Sequence, residues 1–119
     1  MGLGGVGDDE VKLPKLKENI KIELIDVEGY KIHLDNVSVS DLIYLSGNVG
    51  RGKQIVELNQ IKKIDIKPVS DKEVSAELFM RSGEKLILTL QGQQKIKGKS
   101  RFGIYSIKLL DVREINFLN

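Results

Sequence analysis

From Asn19 onward, apolar and polar residues alternate, as in Ile20-Lys21-Ile22-Glu23-Leu24, Tyr30-Lys31-Ile32-His33-Leu34 and Lys85-Leu86-Ile87-Leu88-Thr89-Leu90. A period of two sends successive side chains to opposite faces of an extended chain, so these runs predict strands. Their β-branched and aliphatic content agrees with that. Gly29, Gly47, Gly50, Gly52, Gly83, Gly92, Gly98 and Gly103 fall between or at the edges of the runs, where turns and bulges form. No segment past Asn19 combines a helical period with caps over ten or more residues. Leu58, Ile61 and Ile64 recur every three positions, which suits a single 3₁₀ turn. The chain is expected to be all-β.

The apolar phase and the glycines also recur at long range. Ile22-Glu23-Leu24, Gly29, Lys31-Ile32 and Leu34 reappear 54 positions later as Ala76-Glu77-Leu78, Gly83, Lys85-Leu86 and Leu88. Gly52, Val56, Leu58, Ile61, Ile64 and Ile66 return 51 positions later as Gly103, Ile107, Leu109, Val112, Ile115 and Phe117. Such self-similarity points to duplication of one β unit. The expected organisation is a flexible tail over 1–17, a first repeat over 18–68, a linker over 68–72 and a second repeat over 72–119. Each repeat reads as two strands around a Gly turn, a third strand, a Gly-rich turn, a fourth strand, a short Leu-x-x-Ile/Val turn and a fifth strand. This layout resembles the small five-stranded barrels of the SH3-like and Sm-like type, in which a 3₁₀ turn separates the last two strands. The resemblance implies two pseudo-repeated barrels, or a β-sandwich formed from them, and carries no function. Units of about 50 residues are marginal alone, so the two are expected to pack together.

Gly98-Lys99-Ser100-Arg101-Phe102-Gly103, with Ile107-Lys108-Leu109 and Ile115-Asn116-Phe117, is similar to a closing pattern of uncharacterised bacterial β-rich domains, several of them exported. That similarity implies a bacterial source and a lean toward the periplasm or envelope, with the cytoplasm left open; no activity comes with it.

Composition narrows the classes. With 119 residues, 40% apolar and 30% charged, the chain has the make-up of one folded domain or two very small ones. A formal charge of +2 is too near balance to name a polyanionic partner, so any such partner must be argued from local clustering. The absence of cysteine removes disulfides, thiolate metal sites and cysteine nucleophiles. No apolar run approaches the roughly 18 residues of a membrane-spanning helix. The opening lacks the basic start and apolar stretch of a secretory signal, as a processed chain also would.

Candidate chemistry is sparse. Gly2, Gly4 and Gly7 match the spacing of a dinucleotide fingerprint, but without the strand before and helix after that hold a phosphate. Gly47-Asn48-Val49-Gly50-Arg51-Gly52-Lys53 matches the glycine and lysine positions of a P-loop. Gln54 stands where a hydroxyl should ligate magnesium, and a strand follows where a helix is needed, so a hairpin loop is expected. Gly92 to Gly98-Lys99-Ser100 has one residue too many between its glycines. His33, the lone histidine, alternates with Lys31 and Asp35 on the polar side of a strand, and one imidazole makes neither a triad nor a metal cluster. Asp8-Asp9-Glu10 reads as hydration of a tail. No catalytic set, metal site or cofactor is expected, and the chain is expected not to be an enzyme.

The candidate anion- or partner-binding face is Lys95, Lys97, Lys99 and Arg101, whose spacing of two places them on one side of an extended segment. Lysines on an exposed sheet face or edge also serve to prevent aggregation, and stacking aromatics are not evident, because Phe79, Phe102 and Phe117 fall at expected core positions. If Ile20, Ile22 and Leu24 face a barrel interior, then Ile25, Ile43, Leu45, Phe79 and Ile87 lie on the opposite side. They are expected to join the two copies, or otherwise to mark a contact surface. The expected function is therefore a non-enzymatic binding or assembly module with a protein partner, another copy of itself or a different chain. The alternative is a nucleic-acid-binding small barrel using the Lys95–Arg101 face.

Overall fold

The computed structural model describes residues 19–119. The tail, its glycine spacing and Asp8-Asp9-Glu10 lie outside the described residues. Ten strands follow in chain order: β1 (Ile22–Asp26), β2 (Lys31–Val39), β3 (Tyr44–Val49), β4 (Gly52–Glu57), β5 (Ile61–Pro68), β6 (Glu73–Met80), β7 (Lys85–Gln91), β8 (Lys95–Ser100), β9 (Gly103–Lys108) and β10 (Val112–Phe117). Single 3₁₀ turns, Leu58–Gln60 and Leu109–Asp111, separate β4 from β5 and β9 from β10. The protein is all-β.

The strands join into one antiparallel sheet in the order β4-β3-β7-β6-β5-β10-β1-β2-β8-β9, curled as a half-barrel. Neither half of the chain closes on itself, because β3 crosses to pair with β7 and β8 crosses to pair with β2. Exchanging β1–β5 for β6–β10 reverses this order and leaves it unchanged. Registers agree as well: Ile22 opposes Leu34 and Leu24 opposes Ile32 as Ala76 opposes Leu88 and Leu78 opposes Leu86. The 68–72 segment is a tight turn between paired β5 and β6, where the Ser70 hydroxyl accepts from the backbone N–H groups of Lys72 and Glu73.

Alternation along each strand loads one face with the core. Ile22, Leu24, Leu34, Leu78, Leu88, Ile96 and Leu109 are all at most 1% exposed and belong to a single apolar cluster fed by both halves. Among the described residues, a void of about 10 Å³ lies inside it. That is the size of one water at most, so the interior is packing and has no room for a ligand.

Two expectations about faces change. Leu45 points into the core, because Ser40 and Asp41 adopt left-handed φ values of 53° and 64° and reset the alternation before β3. Phe79 and Ile87 lie on the outer face, Ile25 is buried outside the core cluster, and Ile43 is half-buried. The halves are joined by strand pairing and a shared interior, with no joint made from their outer faces. Lys63 and Lys85 approach the Phe79 ring to 5.5 and 5.4 Å and reach toward Asp65 and Glu77.

Candidate anion-binding face

The β8–β9 hairpin is an arm held by close crossing over β2. Gly98 makes that approach feasible: a Cβ there would stand 2.9 Å from Leu34 Cβ and 3.1 Å from the Asp35 carbonyl oxygen. Gly47 does the same at the other end of the sheet, where a Cβ would meet the Thr89 carbonyl oxygen at 2.7 Å. These are the glycines that imitate phosphate loops in the sequence. Both sit within strands, and β4 follows the Gly50-Arg51 turn where a phosphate loop needs a helix.

Ile96 points inward, which turns Lys95, Lys97 and Lys99 outward. Lys95 opposes Lys108, Lys97 opposes Ser106 and Lys99 opposes Ile104 across the hairpin. Lys95 and Lys99 are exposed, whereas the Lys97 side chain is 20% exposed, with its Nζ 3.3 Å from Asp41 Oδ1. The turn that presents Asp41 is pinned to the arm, since the Ser40 N–H donates to the Lys95 carbonyl at 3.0 Å and the Ser40 hydroxyl bonds Gln94 Oε1 at 3.1 Å. Among the described residues, three of the four expected residues, Lys95, Lys99 and Arg101, make no ion pair, and neither does Lys108.

Arg101 and Phe102 form the two-residue tip between the paired Ser100 and Gly103. The Ser100 hydroxyl accepts from the Phe102 N–H and donates to the Gly103 carbonyl, each at 3.1 Å, and Gly103 supplies the positive φ of 132°. Phe102 is consequently 89% exposed, with the Arg101 guanidinium 5.1 Å from its ring centre. Its expected place in the core is corrected by the turn, where alternation stops. Ile104, beside Lys99, is 46% exposed. Phe79 and Phe117 are half-buried, the latter packed against the core.

Elsewhere the titratable groups are spread out. His33 is exposed on the outer face with Nε2 3.4 Å from Glu23 Oε2, and Asn116 bridges Glu23 and Glu114. Among the described residues, no three His, Asp or Glu side chains are grouped to hold a metal ion. No helix among the described residues is long and apolar enough to cross a membrane.

A model for a family described as uncharacterised protein matches residues 15–119. The chain belongs to that family. It is also 31% identical over 104 residues, covering 87% of this chain and 78% of the relative, to an uncharacterised protein of Aquifex aeolicus (strain VF5). The likeness to uncharacterised bacterial β-rich domains seen in the closing residues thus extends along nearly the whole chain. No solved structure matches it.

Proposed function

We propose that this protein is a non-enzymatic binding module, built from a duplicated five-strand unit over 18–68 and 72–119, that engages a polyanionic partner through the outer face of the β8–β9 hairpin. One observation carries the reading: two hairpins occupy the same position at opposite ends of the sheet, and one is far more cationic than the other. Between Lys95 and Lys108 the chain places Lys95, Lys97, Lys99, Arg101 and Lys108 and no carboxylate, while the matching span Tyr44 to Glu57 has Arg51, Lys53 and Glu57. Protection of a free sheet edge does not account for the row, because Lys95, Lys97 and Lys99 lie on β8, which is paired on both sides, while the edge strands β4 and β9 carry one lysine each, Lys53 and Lys108. The packed interior and the dispersed titratable groups direct function to this surface.

Matched charge reversals test the proposal on heparin-agarose. Lys95→Glu with Lys99→Glu is expected to lower the salt at which the full chain elutes, whereas Arg51→Glu with Lys53→Glu, an equal change in net charge, is expected to leave it nearly unaltered. Equal displacement by the two pairs would mean that net charge acts and no face is specialised.

A further inference from the structure

Resting on that reading, we infer that the polyanion is single-stranded nucleic acid, laid along β8 with its phosphates against Lys95, Lys99, Lys108 and Arg101 and a base stacked on Phe102. Alternate residues on a strand are spaced about 6.6 Å apart, so Lys99 stands about 13 Å, two such repeats, from the Lys95–Lys108 pair, and cations set out along a line on that scale suit an extended nucleic-acid backbone where a compact anion needs a cup. At the end of that row stands a ring 89% exposed and held in place by the Ser100 turn. A stacking platform beside a basic track is the combination by which single strands are held without sequence readout. A duplex keeps its base faces stacked inside and offers nothing to this ring.

An anionic bilayer fits the same residues less well. Standing upright with Phe102 and Ile104 inserted, the hairpin would hold Lys95 and Lys108 about 13 Å behind Lys99, beyond a headgroup layer of about 5 to 7 Å. Lying flat, it would bring down one aromatic ring and no continuous apolar surface. Lys97 stays outside the count because Asp41 already neutralises it. Four phosphate contacts set a definite salt response: with about 0.7 counterions released per contact on a single strand, log K should fall against log salt with a slope of about −3.

The full chain is titrated by fluorescence anisotropy with labelled oligo-dT, a duplex of the same length, phosphatidylserine vesicles and polyglutamate. Oligo-dT is expected to bind best with that slope. Phe102→Ala should weaken it by about fivefold to a hundredfold without flattening the slope, and Phe102→Trp should restore it. Because Phe102 is almost wholly in solvent, neither change threatens the fold. A duplex bound as well as oligo-dT, or indifference to Phe102→Ala, overturns the single-strand assignment. Preference for vesicles or polyglutamate overturns it too and leaves the anionic-partner reading standing, whereas failure to bind any of the four removes both.

Discussion

The β3–β4 and β8–β9 hairpins are two solutions to one backbone problem, and their differences separate what the fold requires from what it leaves free. Positions that face inward keep their character: Leu45 corresponds to Ile96, Gly47 to Gly98, Val56 to Ile107, and Leu58 N–H bonds the Ile43 carbonyl as Leu109 N–H bonds that of Gln94. Outward positions do not. Tyr44, Ser46, Asn48 and Gly50 on one arm stand where Lys95, Lys97, Lys99 and Arg101 stand on the other. Packing holds the first set in common because a change of volume in a dense core is costly, while solvent-facing substitutions usually cost within about 0.5 kcal/mol. Stability thus makes no demand for the charge of the β8–β9 arm, and the proposed binding role draws on that difference.

The comparison breaks first, and most visibly, if the two halves do not share one core. Leu24 and Leu78 hold equivalent places in β1 and β6, and each is fully buried. Leu24→Ala and Leu78→Ala are each expected to cost about 2–5 kcal/mol, through lost burial and the cavity left behind. Urea unfolding followed by circular dichroism should show one transition for each variant, with an unchanged slope. A biphasic curve, or a variant that melts only half of the signal, would mean that the halves fold independently and that the shared interior is not cooperative.

A smaller effect probes the crossings. Gly98→Ala and Gly47→Ala each place a methyl against the neighbouring strand, and a cost of about 1–3 kcal/mol follows from overpacking. Gly47→Ala should be the worse of the two, since its Cβ meets a backbone carbonyl at 2.7 Å where Gly98 meets one at 3.1 Å. If Gly98→Ala also weakens binding to heparin, the arm's seat on β2 positions the cations. If both variants melt like the parent, the close approach is not a constraint.

These glycines also show where sequence reasoning reaches its limit. Alternation is a local property, so it places Ile22, Leu24, Leu34 and Leu88 on the buried face without knowledge of any partner strand. The partners of β3 and β8 are set by contacts with the other half of the chain, and a glycine needed for such a crossing is indistinguishable in sequence from one needed for a turn. Phe102 follows a regular run and reads as core until the two-residue tip is known. Lys108 was within reach: it lies as far beyond the Arg101-Phe102 tip as Lys95 lies before it, so a hairpin at that point pairs them. Asp41, which occupies Lys97, carries no such signal, because the two are 56 positions apart and meet only through the β2–β8 pairing.

The subtlest difference lies beneath the arms. Between β4 and the β6–β7 turn an open cleft of about 620 Å³ is lined by Gln54, Met80, Glu84 and Leu86. At the equivalent place under β9, Tyr105 replaces Gln54 and packs against the core. Burial, and then the negative charges of Asp26 and Asp111 with Tyr30 alongside, raise the Tyr105 pKa above its usual value near 10. The folded state therefore holds this proton more tightly than the unfolded chain does. Below pH 10 both states keep it and it has no effect on the balance; above pH 10 the unfolded chain ionises first, so stability falls until the pH passes the raised folded value. Tyr105→Phe has nothing to ionise and should shed that part of the alkaline loss while melting much like the parent at pH 7. Thermal melts from pH 8 to about pH 11 read the difference. Parallel curves for parent and variant would mean that the ring is as wet as the cleft at the other end, and that the two undersides differ in name but not in environment.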